Sequence, residues 1–276
     1  MRNLIYQYWG GDMPCGVLAG KKNMEEYAKR IGAEYRLDHN KPQAVNTGVH
    51  QHYWEWLNPL IDPSFLVYDN IAIIDLDVFA IDGLEESIFD LEYGHVAACR
   101  EPAIETIRKE TLHGSINYKN DEIWAAWVDS TLNTKLPRRD DGLLKVYNAG
   151  MVMFSKEGLR HAKNRWWKFN KYVQQTIAQN FSKFYCLDQN YFHAMAHSLE
   201  TDFTELDYKW NSHVHNMSTR SNPIRRMNDT RPKDAKLVHI QPGEAKWYTE
   251  KEMWRITNLP IQEWNLNHKH YKAAVK

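Results

Sequence analysis

The stretch Ile71-Ala72-Ile73-Ile74-Asp75-Leu76-Asp77-Val78 is an apolar run that stops on two carboxylates set two residues apart. Four small or β-branched apolar residues in succession suit a strand covered on both faces of an α/β sheet, and ligands of such sheets gather beyond the carboxyl ends of the strands. Side chains at i and i+2 of an extended segment share a face, which puts Asp75 and Asp77 within reach of one hard divalent cation. D-x-D is common, however, and a solvated strand end explains it equally well.

Upstream, Leu4 to Tyr8 reads as a first strand, broken by Gly10-Gly11 and Pro14. Asn23 with Glu26 three residues on reads as a helix start, Met24, Tyr27, Ala28 and Ile31 share a face, and Gly32 ends the helix. Tyr35 to Leu37 is a second strand, and a helix from Thr47 to Leu60 buries Val49, Tyr53, Trp56, Leu57 and Leu60. Asp62-Pro63 then turns the chain into a strand at Phe65 to Tyr68. This β-α-β-α-β alternation predicts a mainly parallel central sheet flanked by helices, and 276 residues suit a single α/β domain.

Downstream, Gly83 to Leu91 reads as a short acidic helix and His95 to Arg100 as a buried strand, while residues 101–144 have no clear pattern. Lys145 to Phe154 is a strand with Asn148-Ala149-Gly150 in its middle, where small residues point to close approach of a ligand or of another backbone. A basic, aromatic helix from Lys156 to Gln179 carries a core stripe of Leu159, Ala162, Trp166, Phe169, Val173 and Ile177. Asp188-Gln189-Asn190 opens another helix, where an acid is favoured by the first-turn amides. Leu206 to Asn211 reads as a strand. Residues 219–236 hold Arg220, Arg225, Arg226, Arg231, Lys233 and Lys236 against Asp229 and Asp234, then lead into Leu237-Val-His239-Ile240 and the turn-rich Gln241 to Trp247.

Lys plus Arg and Asp plus Glu both number 35, so no overall field points to nucleic acid or anionic lipid. Eleven Trp and fifteen Tyr serve core packing and also stacking on sugar or base faces. Cys15, Cys99 and Cys186 form no C-x-x-C pair, which argues against zinc or redox work and fits a reducing cytoplasm. No signal peptide and no apolar run of about 18 residues is present in the sequence, so no transmembrane segment is expected.

Taken together, these motifs resemble the GT-A-fold nucleotide-sugar glycosyltransferases, most closely family 8, the glycogenin and lipopolysaccharide galactosyltransferase kind. Asp75-Leu76-Asp77 matches the family's D-x-D, Asn148-Ala149-Gly150 its N-[SA]-G strand, Asp188-Gln189 its D-Q helix start, and His239 to Trp247 its H-x-x-G-x-x-K-P-W loop. Gly243 and Lys246 each stand one place later than in that loop, and no Pro precedes Trp247. The resemblance implies a GT-A domain over 1–250 with a helical extension over 251–276. It implies Mn²⁺ or Mg²⁺ on Asp75, Asp77 and His239, a nucleotide-sugar donor held by Tyr6, Gln7, Leu76, Ala149, Gly150, Gly243 and Lys246, and sugar contacts from Asn148, Asp188 and Gln189. Trp210, Asn211 and Trp247 would meet a saccharide or other hydroxyl acceptor. Transfer would retain the anomeric configuration, with Asp188 as polar stabiliser or nucleophile.

The chemistry asks for such a set. Breaking the sugar–diphosphate bond leaves a charged pyrophosphate, which a carboxylate-held cation offsets, and a His with two carboxylates suits Mn²⁺ better than Mg²⁺. Three alternatives stay open: a haloacid-dehalogenase-like phosphatase, which normally carries D-x-D on its first strand; a catalytically silent sugar-binding protein; and transfer to a modified DNA base through the 219–236 loop and Arg138-Arg139.

Overall fold

In the computed structural model, which describes residues 1–40, 57–110, 114–217, 226–241 and 245–266, Ile71–Ile74 lies in a strand, β3 (Asn70–Ile74), inside a six-stranded sheet. From edge to edge the strands are β2 (Glu34–His39), β1 (Asn3–Trp9), β3, β6 (Tyr147–Ser155), β5 (Val96–Arg100) and β7 (Phe203–Leu206). Only β6 runs against its neighbours; the pairs β1/β2, β1/β3 and β5/β7 are parallel, which is the mainly parallel α/β sheet expected.

The reason is the two-residue period of a strand combined with helices on both sides. Ile71 and Ile73 of β3, Val152 and Phe154 of β6, and Val96 and Ala98 of β5 face one apolar layer. Ala72 and Ile74, Met151 and Met153, and Ala97 and Cys99 face the other. The first layer is closed by α4 (Tyr118–Leu132), α5 (Lys156–Arg165), α6 (Phe169–Ala178) and α7 (Asp188–Ala196), through Trp124, Val128, Leu159, Trp166, Phe169, Tyr172 and Phe192. The second is closed by α1 (Cys15–Arg30), with Met24, Tyr27 and Ala28.

A second sheet was not foreseen. After Ile74 the chain leaves the large sheet, turns through Asp75-Leu76-Asp77, and enters β4 (Val78–Ala80) of a four-stranded sheet. Its order is β4, β10 (Leu237–Ile240), β8 (Ser212–Met217), β9 (Arg226–Asp229). Val238 and Ile240 turn one face of it to α8 (Glu250–Asn258), which begins with a Thr249/Glu252 capping box and buries Met253 and Ile256. No helix among the described residues is long and apolar enough to cross a membrane.

Several local expectations give way. Asn23 does not cap a helix: α1 starts eight residues earlier at Cys15, and the Asn23 carboxamide pairs with both backbone groups of Ala80, at 2.7 and 3.0 Å. Phe65 to Tyr68 is no strand, because Asp62 accepts from Ser64 N at 2.8 Å and starts a 3₁₀ turn at Pro63–Val67. Gly83 to Leu91 shrinks to a 3₁₀ turn, Ile88–Asp90, and Leu206–Asn211 ends as a strand at Leu206 before a 3₁₀ turn at Tyr208–Trp210. Residues 101–144 hold α3 (Pro102–Glu110) and α4, joined by a buried Arg108–Asp121 ion pair at 2.9 Å. The helix expected over 156–179 breaks between Arg165 and Phe169 into α5 and α6. Of the helix expected at 47–60 only the end is described, as α2 (Asn58–Ile61).

Candidate active site

Asp75 and Asp77 do not share the face of an extended strand. They sit on the turn where the chain crosses from one sheet to the other, closed by Val78 N donating to Asp75 O at 3.1 Å. The turn is pinned from three further sides. Asp75 N donates to Gly150 O at 2.8 Å, Ile240 N donates to Asp77 O at 2.8 Å, and the Gln7 carboxamide donates to Asp75 O at 3.1 Å while accepting from Tyr35 OH at 2.8 Å. α1 packs directly on it, since a Cβ at Gly20 would strike the Leu76 carbonyl oxygen, and one at Gly16 would strike the Ala245 carbonyl oxygen. These bonds tie the Asp75 and Asp77 backbone to β6, β10 and β1, so the turn is positioned by the surrounding strands and its two carboxylates are left to face His239.

His239, on β10 beside β4, completes the group: ligand atoms of Asp75, Asp77 and His239 all lie within 4.8 Å of one another. His239 Nε2 is 3.1 Å from Asp77 Oδ1. The Asp75 carboxyl is pushed up to about 8, first by burial, then by the charge of Asp77, with Asp188 adding to it and His239 opposing. Burial disfavours the His239 cation, yet the Asp77 charge and hydrogen bond, with Asp75 and Glu101, hold the imidazole above its ordinary value. An acid pushed up beside an imidazole held up marks an excess of negative charge, which a divalent cation relieves. Two carboxylates and one imidazole at these separations fit Mn²⁺ or Mg²⁺.

The far side of His239 explains the Asn-Ala-Gly segment of β6. Gly150 N donates to Asn148 Oδ1 at 2.8 Å, and because a backbone N–H can only donate, this fixes the amide orientation. The same oxygen accepts from Asn211 Nδ2 at 2.9 Å and faces His239 Nδ1 at 3.1 Å, so Nδ1 carries the proton and Nε2 is turned to the carboxylates. Asn148 Nδ2 in turn donates to buried Glu101 at 3.3 Å, and Gln241 donates to the same carboxylate oxygen at 3.2 Å. A Cβ at Gly150 would run into the His239 ring, with Nδ1 at 2.7 Å, so only glycine lets the imidazole lie over β6.

The remaining expected residues divide. Asp188 opens α7 close enough to Asp75 for its charge to act there, and Gln189 follows it, both half-buried. Tyr6 and Gln7 present no surface to a base: Tyr6 packs edge-on to Phe65 with its hydroxyl between Asp38 and Asn58, and Gln7 acts through the Asp75 carbonyl. Asn148 is buried and holds His239, Ala149 and Leu76 are buried, and Trp210 lies in the second apolar layer, so it is not open to an acceptor. Asn211 is buried against Asn148. Lys246 is exposed, with Nζ 5.5 Å from the Trp247 ring, and Trp247 is 62% exposed. Gly243, like Arg220 and Arg225, lies outside the described residues.

Of the 219–236 cations, Arg231 is committed elsewhere. It pairs with both Asp229 oxygens at 2.6 and 2.7 Å and donates to the Ile256, Thr257 and Leu259 carbonyls at the end of α8. Lys236 pairs with Glu86 at 2.7 Å, and Arg138 and Arg139 pair with Glu122 and Asp141. Sequence reasoning missed Glu101, Gln241 and the buried His213, which stacks on Tyr208 and stands 3.4 Å from Glu101. The alternating His213-Val214-His215, in register with His239 and its neighbours on β10, was the available signal.

No family model and no curated protein matches the chain. Solved structures do. One is the galactosyltransferase LgtC in complex with donor and acceptor sugar analogs, 11% identical, with 98% of this chain and 99% of that chain covered at a TM-score of 0.52. Another is a glycosyltransferase involved in the glycosylation of the major capsid of PBCV-1, 13% identical, with 92% and 98% covered at 0.50. The chain therefore has the α/β fold of the GT-A glycosyltransferases, over nearly its whole length.

Proposed function

We propose that this protein is a metal-dependent glycosyltransferase that moves a sugar from a nucleoside-diphosphate sugar, a UDP-sugar, to a hydroxyl of a saccharide acceptor with retention at the anomeric carbon. The observation that carries this reading is the Asp75/Asp77/His239 group within 4.8 Å, at the crossing between the two sheets of a glycosyltransferase fold. These three residues would hold Mn²⁺ or Mg²⁺; when bound, the ion supplies positive charge against the charge growing on the departing diphosphate.

The chain's own groups do the rest. Asn148 and Gly150 keep the His239 ring in one place and one tautomer. Lys246, exposed and with its backbone packed against Gly16 of α1, one turn before the Gly20 that packs on the site turn, is assigned to the diphosphate. Asp188, near Asp75 at the start of α7, is assigned to the sugar face, where it stabilises positive charge at C1 as the bond to the diphosphate oxygen breaks, the acceptor hydroxyl oxygen bonds to the same carbon and its proton passes to the departing diphosphate. The ion pairs that occupy Arg231, Lys236, Arg138 and Arg139 favour a saccharide over a nucleic-acid acceptor.

A thermal-shift screen of nucleoside diphosphates and nucleotide sugars with Mn²⁺ tests this, because a ligand at a hundred times its dissociation constant adds about 2.7 kcal/mol. UDP and one UDP-sugar should raise Tm with Mn²⁺ and not with EDTA. Absence of any shift across the panel would defeat the reading.

A further inference from the structure

The break between α5 and α6 has no glycine or proline to cause it: residues 165–169 read Arg-Trp-Trp-Lys-Phe. α7 holds it open instead, with Tyr191 OH donating to Trp167 O at 2.7 Å and Trp167 N meeting Met195 Sδ at 3.3 Å. The opened segment lines a cavity of about 490 Å³, whose other walls come from α2 and the turn after it, chiefly Leu57, Leu60, Ile61 and Pro63. That volume lies within the range of about 300–1,000 Å³ that small-molecule pockets occupy, and its lining of tryptophans, tyrosine and aliphatic side chains suits an apolar body.

Its edge is cationic. From 156 to 171 the chain carries Lys156, Arg160, Lys163, Arg165, Lys168 and Lys171 against the single acid Glu157. Lys156, Arg160 and Arg165 meet Asp69, Glu157 and Glu200. Lys163 and Lys168, which line the cavity, and Lys171, which reaches it over the lining Trp167 ring, do not form ion pairs among the described residues. Lys163 Nζ donates to the Asp62 carbonyl at 3.0 Å, Lys168 Nζ to the Lys163 carbonyl at 3.2 Å, and Lys171 Nζ lies 3.8 Å over the Trp167 ring. The Asp62 carboxylate beside Lys163 faces Ser64 N and Arg36.

We infer that this cavity binds a single-chain anionic amphiphile, its acyl tail among Leu60, Ile61, Trp166 and Trp167 and its carboxylate or phosphate at Lys168 and Lys171. An ammonium held only by a carbonyl or a ring face keeps its charge for an anion, whereas one already paired with a carboxylate does not. The site is separate from Asp75, Asp77 and His239 and does not depend on the transferase reading.

The test uses the whole chain in EDTA, so that the carboxylate group cannot hold a phosphate through a metal. Dodecyl phosphate below its micelle concentration should raise Tm saturably, and a chain-brominated fatty acid should quench tryptophan fluorescence, an effect reduced in Trp167→Phe. Lys168→Glu with Lys171→Glu, both exposed and expected to fold, should weaken binding at least tenfold, and Leu60→Trp, which fills the cavity, should abolish it. Equal binding of dodecanol, or binding unchanged by the double charge reversal, would overturn the inference. So would association with phosphatidylglycerol vesicles but not with the monomeric amphiphile, since that places the contact on the surface and not in the cavity.

Discussion

In the six-stranded sheet β3, β5 and β6 alternate between two apolar layers, whereas the four-stranded sheet turns Val238 and Ile240 to α8 and presents His239, His213 and Gln241 to the site. The first sheet is held by non-directional burial, so any side chains of the right size and pattern serve. The polar face of the second works only if each group meets its partner. Even so, among the described residues both His215 nitrogens and Asn211 Oδ1 are buried without a hydrogen-bond partner. Such groups cost stability and gather where a protein gives up stability for function.

The contrast predicts different responses to substitution. Phe154→Ala, in the first apolar layer, should lower unfolding free energy by about 3–5 kcal/mol in a denaturant titration, yet leave Mn²⁺ affinity of the folded protein within about twofold. Asn148→Ala removes the acceptor shared by Gly150, Asn211 and His239; it should cost about 1–3 kcal/mol of stability and lower Mn²⁺ affinity by about 10–100-fold. If Phe154→Ala weakens metal binding as much as Asn148→Ala does, apolar burial and the polar network around His239 are not separate in function, even though both residues stand on β6.

A smaller, graded effect is expected from pH. The Asp75 carboxyl is pushed up to about 8, above its unfolded value, so its contribution favours the folded chain most at low pH and is lost as pH rises toward 8. Proton and metal compete for that oxygen. Mn²⁺ affinity should therefore climb by up to tenfold per unit between pH 6 and 8 and then level off. A flat profile by calorimetry over that interval would mean Asp75 is already ionised and the charge crowding is absent.

This difference between the sheets also explains what the sequence discloses. β3, β5 and β6 are legible because their two-sided burial leaves continuous apolar runs such as Ile71–Ile74 and Met151–Phe154. Asp75, Asp77 and His239 were legible because their chemical types are distinctive, although the turn that carries the two aspartates to His239 was not, since its geometry depends on a crossing between sheets. Asn23 misled because a polar residue inside a helix looks like a cap until the β4 backbone it serves is known. The role of Asn148 was hidden for the same reason: the three partners of its Oδ1 come from β6, the 3₁₀ turn end at Asn211, and β10. The break between α5 and α6 is set by Tyr191 and Met195 of α7, which no local pattern reveals.

On the function proposed here, Asp75, Asp77 and His239 form a cation site coupled to a nucleoside diphosphate. Titrating Mn²⁺ by calorimetry with and without UDP tests it most directly, because linkage requires each ligand to raise the affinity of the other by one common factor. One Mn²⁺ per chain, a mutual enhancement of at least tenfold, and loss of both in Asp77→Ala are expected on that reading. Equal UDP affinity with Mn²⁺ and with EDTA, or Mn²⁺ binding that survives Asp77→Ala, would contradict it.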